Sequence, residues 1–347
     1  MRGKVNRQMF AVGAALLALG TARAQVSNPI SVRLVLITDA GPTAEGGETL
    51  FDRWEAADHM NQAVGVPGLE SALRSDGQGT LLVAVGAGAN AAAQLVALGL
   101  DPRFDFSHAY WLAAGTAAAN PDQASLGSAA WAQSIINGDE AYEVDRGDAP
   151  SDWPYGIVPL GGSAPKAYPL QGRTGGEQLV YRLNLALARG AYMLSRDAAL
   201  PDRPELRKER GAFVGYDNAA RPPFVLLGAV VGSSRYWHGK VLTQWASDWA
   251  QHFGGMNCRF AMADTSDQAI AAALATLARA RRADFRRLMV LRAAAVFTVD
   301  SSGRSKEASQ KADYGGFKWA AEAAFLATQP VIQDLQNHWD SYFESAP

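Results

Sequence analysis

The sequence predicts an α/β sandwich built on a largely parallel sheet. Short apolar runs suited to buried strands alternate along the chain with segments of helical period. Several of these runs end in glycine and small polar residues, as in Val83-Ala84-Val85-Gly86-Ala87-Gly88. The chain has 347 residues, 48% of them apolar, which is enough for one large core.

The first segment reads as lying outside that fold. Arg2, Lys4 and Arg7 precede an apolar run over 9–20, and Ala22-Arg23-Ala24 spaces small residues as an export peptidase requires. Residues 1–24 are therefore expected to be a secretory signal peptide cleaved after Ala24, leaving 25–347 as a single α/β domain, periplasmic or secreted. The apolar core is short for a bilayer-spanning helix and polar sequence follows it, so a retained anchor is the weaker alternative. No other stretch approaches the roughly twenty apolar residues a span needs, and the mature chain is expected to be soluble with no stable membrane span. Cleavage removes four positive charges and takes the formal net charge from −2 to −6. A mildly acidic exported chain has no electrostatic claim on nucleic acid. With one cysteine, Cys258, there is no intramolecular disulfide, so the fold rests on its core.

Strands are expected at 32–38, 80–85, 110–114, 224–231, 260–263 and 288–291. A helix is expected over 178–194, where Leu179, Leu183, Leu187 and Ala191 recur every four residues, and another where Val241, Trp245 and Trp249 do the same. The segment 145–173 is rich in Gly and Pro but carries Trp153 and Tyr155, so it reads as an ordered excursion rather than a flexible linker. Residues 203–210 read as a charged surface helix or turn and 300–311 as an exposed loop. The cluster Arg279, Arg281, Arg282, Arg286 and Arg287 ends a helix and reads as a solvated edge. There is no internal repeat.

Three strand ends carry candidate chemistry. After the first, Gly86-Ala87-Gly88-Ala89-Asn90 could point backbone N–H groups at an anion or a sugar hydroxyl, although a tight strand-to-helix turn needs glycine anyway. Gly115-Thr116 forms the second. At the third, the run 224–231 opens into Gly232-Ser233-Ser234-Arg235-Tyr236-Trp237-His238-Gly239-Lys240. Two adjacent rings there suit a flat heteroaromatic ligand in the crevice beyond the strand ends, and ordinary packing of Tyr236 and Trp237 is the alternative. His238 is the one histidine placed to act as acid or base, against a role as a satisfied structural donor. Asp264 ends a strand just before a helix, and its simplest role is capping. The five histidines lack ligand spacing, so no metal site is expected, and no Gly-x-Ser-x-Gly elbow occurs.

Several strings together resemble the purine nucleoside permease family: Ala97-Leu98-Gly99-Leu100-Asp101-Pro102-Arg103-Phe104-Asp105, Ala109-Tyr110-Trp111-Leu112-Ala113-Ala114-Gly115, Leu126-Gly127-Ser128-Ala129-Ala130-Trp131-Ala132, Asp152-Trp153-Pro154-Tyr155-Gly156 and Tyr236-Trp237-His238-Gly239-Lys240. The resemblance covers nearly all of the mature chain. It implies a nucleoside phosphorylase-like fold, a three-layer α/β/α sandwich with a largely parallel or mixed central sheet whose ligand lies at strand ends. It also implies a purine nucleoside ligand, with Gly86, Gly88, Asn90, Gly115 and Thr116 on the sugar or phosphate side. Tyr236, Trp237, His238, Met262 and Asp264 complete the candidate ligand-binding set. No cofactor is implied, with phosphate a conceivable co-substrate, and the partners to expect are further copies of the chain or a membrane transporter.

The departures bear on mechanism. Where the family carries Met-Glu-Asp-Thr-Gly, the chain reads Met262-Ala263-Asp264-Thr265-Ser266, which removes an acceptor for ribose hydroxyls. Where relatives show Arg-Thr-Ala-Ser-Asn-Phe, it reads Arg292-Ala293-Ala294-Ala295-Val296-Phe297, and Val296 cannot donate to a purine nitrogen. Tyr142 stands where a His is common, and the first strand ends in Asp39-Ala40-Gly41-Pro42 rather than a Phe-Glu-Pro-Glu-like run. The resemblance therefore implies binding of purine nucleosides for uptake. An enzyme cleaving the N-glycosidic bond by phosphate or water is the alternative, weakened at positions 263 and 296 because such groups commonly contribute 10²–10⁴-fold in rate.

Overall fold

The computed structural model describes residues 28–39, 48–168, 178–255, 257–301, 303–304, 307 and 316–343. Residues 1–24, expected to be a signal peptide, the stretch 40–47 and most of the 300–311 loop lie outside them. Ten strands form the main sheet in the order β11-β8-β12-β13-β7-β2-β5-β4-β3, with β14 pairing both β7 and β8. These are β2 (Leu34–Asp39), β3 (Gln62–Val64), β4 (Leu73–Ser75), β5 (Thr80–Val85), β7 (Tyr110–Ala119), β8 (Ala129–Asn137), β11 (Val180–Arg182), β12 (Val225–Gly232), β13 (Phe260–Asp264) and β14 (Leu288–Phe297). Two small ladders join β1 (Ile30–Ser31) to β6 (Phe104–Asp105) and β9 (Ala141–Glu143) to β10 (Ile157–Pro159). Because β14 runs parallel to β7 and antiparallel to β8, it closes the path β8-β12-β13-β7 on itself. The sheet is mixed: β2, β5, β7 and β14 run parallel, as do β8, β12 and β13, while β3, β4 and β11 pair antiparallel.

Side-chain alternation builds the three layers. Along β2, Val35 and Ile37 enter one apolar cluster and Leu34 and Leu36 the other, so both faces are covered, as a parallel sheet requires. Helices α2 (Ala89–Leu100) and α7 (Asp267–Arg279) cover the first face through Leu95, Leu98, Ile270 and Leu274. Helices α1 (Leu50–Ala57), α3 (Leu185–Ser195) and α8 (Gly316–Asn337) cover the second through Trp54, Leu187 and the alanines of α8. Helix α6 (Lys240–Gly254) buries Trp245 and Trp249 in a third cluster with Tyr155 and Phe260. Short helices α4 (Pro204–Arg210), α5 (Asp217–Ala220) and α9 (Trp339–Phe343) complete the described chain. No helix among the described residues is long and apolar enough to cross a membrane. The expected α/β sandwich is thus present; of the segment 145–173, residues 169–173 lie outside the described residues, while Tyr155, Ile157 and Val158 are buried and 145–152 is largely exposed.

Some expectations change. Residues 178–194 are not one helix: Val180–Arg182 pairs antiparallel with β8, and the helix starts only at Leu185. The four-residue spacing misleads because Asn184 breaks it, accepting the N–H groups of Ala186 and Leu187 and capping α3. The basic cluster is not a uniformly solvated edge. Arg282 donates to the carbonyls of Gly99, Asp101 and Phe104, and Arg287 is buried against the carbonyls of His108, Tyr342 and Phe343. Strands 110–114 and 288–291 run on to Ala119 and Phe297, because alanine-rich strand halves carry little β signal in sequence. Replacing Asn184 by Ala is expected to lower stability by about 1 kcal/mol through loss of the cap, read as a lower urea midpoint at unchanged m.

Candidate functional site

The carboxyl ends of β2, β5, β7, β13 and β14 open together on a cavity of about 490 Å³. Its wall is mainly apolar, with Leu50, Val85, Trp237, Ala263, Val296 and Phe317, while Thr38, Asp39, Thr116 and Asp264 supply polar groups. A volume in this range suits a small organic ligand.

Beneath the cavity lies a buried ion cluster. Arg292, on β14 and 1% exposed, donates from Nε and Nη2 to the Asp267 carboxylate at 3.0 and 2.7 Å. Its Nη1 reaches Asp39 at 3.1 Å and Asp264 at 3.3 Å. Asp264 does two jobs, since its Oδ1 also accepts the N–H groups of Ser266, the N-cap of α7, and of Asp267, its first residue; it thus holds the helix entry from two residues before the N-cap, not from the N-cap position itself. Asp39 is the open member, with 37% of its side chain exposed, against 4% for Asp264 and none for Asp267. Burial pushes Asp39 up to about 6 against the pull of Arg292, with Asp264 adding to the rise. Burial likewise pushes Asp267 up to about 7. Burial beside another carboxylate makes ionisation of Asp39 and Asp267 costly, and the attraction of Arg292 offsets that only in part.

Gly115 makes this arrangement possible. It pairs with Arg292 in the β7–β14 ladder, and a Cβ there would stand 2.3 Å from both Arg292 Nη1 and Asp39 Oδ2. The turn after β12 is fixed from below by Asp139, whose carboxylate accepts from Ser233 Oγ, Ser234 N, Ser234 Oγ and Gln268 Nε2 at 2.7–2.9 Å. That turn delivers Arg235, Tyr236 and Trp237 to the cavity. Tyr236 is 91% exposed. Trp237 is half-buried, edge-on to Trp245 at 5.5 Å and tilted against Phe260 at 5.9 Å, so it lines the cavity and packs at once.

Of the sequence-predicted residues, Gly86, Gly115, Thr116, Tyr236, Trp237 and Asp264 line the cavity. Gly88, Asn90, His238 and Met262 are not among its lining residues. Gly88 has φ +55° and packs against Ser234, donating its N–H to the Thr265 carbonyl. Asn90 is exposed on α2, and Met262 is fully buried in the core. His238 Nε2 lies 3.0 Å from Asp300 Oδ1. Ala263 and Val296, the two departures, do face the same cavity as Trp237. Sequence reasoning did not single out Arg292, Asp267, Thr38, Phe317 or Asp139 as site residues. The signal for Arg292 was a lone cation inside an apolar strand, which must be paired when buried.

The α/β fold is shared with solved structures of low sequence identity. Helicobacter pylori futalosine hydrolase superposes with TM-score 0.52 at 10% identity, covering 88% of this chain and 99% of that one. The 5′-methylthioadenosine/S-adenosylhomocysteine nucleosidase of Neisseria meningitidis superposes with TM-score 0.52 at 14% identity, covering 88% and 100%. A family model for purine nucleoside permease matches residues 45–347, and the chain belongs to that family. A purine nucleoside permease of Candida albicans is 24% identical over 265 residues, 74% of this chain and 63% of that protein. A probable purine nucleoside permease of Schizosaccharomyces pombe is 25% identical over 262 residues, 72% of this chain and 73% of its own length. The chain thus spans less than two thirds of the Candida relative.

Two outcomes follow from the ion cluster. Gly115→Ala is expected to destabilise the fold by about 1–3 kcal/mol through overpacking, measured by urea denaturation. The raised carboxylates bind protons in the folded state that an unfolded Asp, near pKa 3.9, has released. Between about pH 4 and pH 7 the native state therefore holds more protons, and the cluster's contribution to stability falls as pH rises. Asp39→Asn removes one titration, so its Tm relative to the unsubstituted protein should climb from pH 4.5 to 7.5; a flat difference would remove Asp39 from that linkage.

Proposed function

We propose that this protein captures a purine nucleoside in the strand-end cavity and serves nucleoside uptake. On this reading residues 1–24 direct export, and the mature protein is a soluble periplasmic or secreted component that passes its ligand to a membrane transporter, alone or as a homo-oligomer. The described residues hold no helix long and apolar enough to cross a membrane, which favours capture and hand-over as the part they play in uptake. The observation that carries the proposal is that Ala263 and Val296 line the same cavity as Trp237. The cavity keeps an aromatic wall for a flat base, yet at both positions where sugar and leaving-group chemistry would need polar atoms it presents only carbon. Family membership supports the same ligand class. Phosphate is not required for capture, and neither is a cofactor.

One observation favours an enzyme as the second reading: Asp39 opens on the cavity with its carboxyl pushed up to about 6, which suits proton transfer near neutral pH. Calorimetry with inosine, guanosine and adenosine, run beside chromatographic detection of released base with and without phosphate, separates the two. Saturable binding without release supports capture, and release at enzyme-like rates overturns it in favour of hydrolysis or phosphorolysis. Absence of both across the panel overturns the purine nucleoside ligand itself. Trp237→Ala is expected to weaken binding about tenfold, or about 1.4 kcal/mol, through lost stacking. Because Trp237 also packs on Trp245, its Tm is measured alongside, and unchanged affinity in the folded variant would put the base elsewhere.

A further inference from the structure

We infer that Asp39 is a specificity-determining residue that makes the cavity reject anions, so that nucleosides enter and nucleoside monophosphates or inorganic phosphate do not. The inference rests on the nucleoside reading and goes beyond it by assigning the charge class of the ligand. An anion in such a site needs a cation or free N–H donors aimed at it. Arg292 offers neither: it is 1% exposed, and its Nε, Nη1 and Nη2 all donate to Asp267, Asp39 or Asp264. Arg235 is the basic residue among the described lining residues; its side chain is half exposed and its Nη1 pairs with the exposed Glu143, which places this cation on the solvent rim and not on the buried floor beside Asp39. The acidic groups among the described lining residues are Asp39 and Asp264. Three carboxylates against one guanidinium leave the polar floor negative whenever fewer than two protons are held. An approaching phosphate therefore loses its hydration to face like charge, and such juxtaposition costs far more than rim contacts return.

The geometry makes Asp39 the gate rather than its partners. Asp267 is sealed and Asp264 nearly so, but Asp39 exposes 37% of its side chain to the cavity. Gly115 lets that carboxylate close on Arg292 Nη1, so it stands at the cavity wall in a set position instead of swinging to solvent.

The test is calorimetry on the full protein at pH 7.5 with adenosine, adenosine 5′-monophosphate, inorganic phosphate and 5′-O-sulfamoyladenosine. The last is an uncharged ligand of about the bulk of the monophosphate. Adenosine and the sulfamoyl compound should bind within about threefold of each other, while the monophosphate binds at least about a hundredfold more weakly. Phosphate alone should give no heat of binding. Asp39→Asn, which keeps the shape and removes the charge, should recover about tenfold or more for the monophosphate. Equal affinity for adenosine and its monophosphate overturns the charge assignment and leaves nucleoside capture standing. Rejection of the sulfamoyl compound along with the monophosphate overturns it too, because exclusion would then be steric. Failure of adenosine itself to bind overturns the nucleoside reading, and this inference with it.

Discussion

Arg292 and its three carboxylates are the constraint around which the site is organised. A guanidinium in the middle of an apolar strand is tolerable only when every donor is met, and here the acceptors come from three other segments. Asp39 ends β2, Asp264 ends β13 and Asp267 opens α7, while β7 contributes a position without a side chain at Gly115. The cluster thus pins together strand ends that are distant in sequence, and the cavity is the space left above them. Removing Arg292 would leave the buried carboxylates without their cation, which is far more costly than the net worth of the pairs.

The same cluster explains why the cavity is two-sided. Its floor is acidic and hydrogen-bonded, and its walls are alanine, valine, leucine and aromatic carbon. A nucleoside is two-sided in the same way, with a flat base and a hydroxylated sugar. Walls of this kind stabilise by burial and stacking, which act on the ground state as much as on any transition state. Ala263 and Val296 offer developing charge no polar side-chain atom, whereas the Asp39 carboxyl, though paired with Arg292, opens on the cavity.

The layered fold was legible from the sequence because apolar alternation and strand-end glycines report on it directly. The runs at β5, β12 and β13 lie within a residue or so of where the strands form. Legibility failed where two periods overlapped. Leu179, Leu183, Leu187 and Ala191 are buried, yet the first two belong to a strand edge and its exit, the last two to a helix. It failed again in the far halves of β7 and β14, where alanine gives no strand preference and long-range pairing decides. For the site, Gly115 was singled out as a ligand contact, while its fit to Arg292 and Asp39 depends on a neighbour 177 positions away that local sequence cannot reveal.

The aromatic turn shows how packing and function share residues. Trp237 and Tyr236 are adjacent in sequence, but Trp237 lies against Trp245 and Phe260 while Tyr236 projects almost wholly into solvent. A ring anchored on α6 and β13 is held in one orientation before ligand arrives, so little rotamer freedom is lost on binding. A ring left in solvent must be ordered at that moment and returns less per contact. Core packing and a place in the cavity wall are therefore not alternatives at Trp237. Packing is what makes that wall rigid, and Asp139 supplies the same service to the turn by taking four hydrogen bonds from Ser233, Ser234 and Gln268.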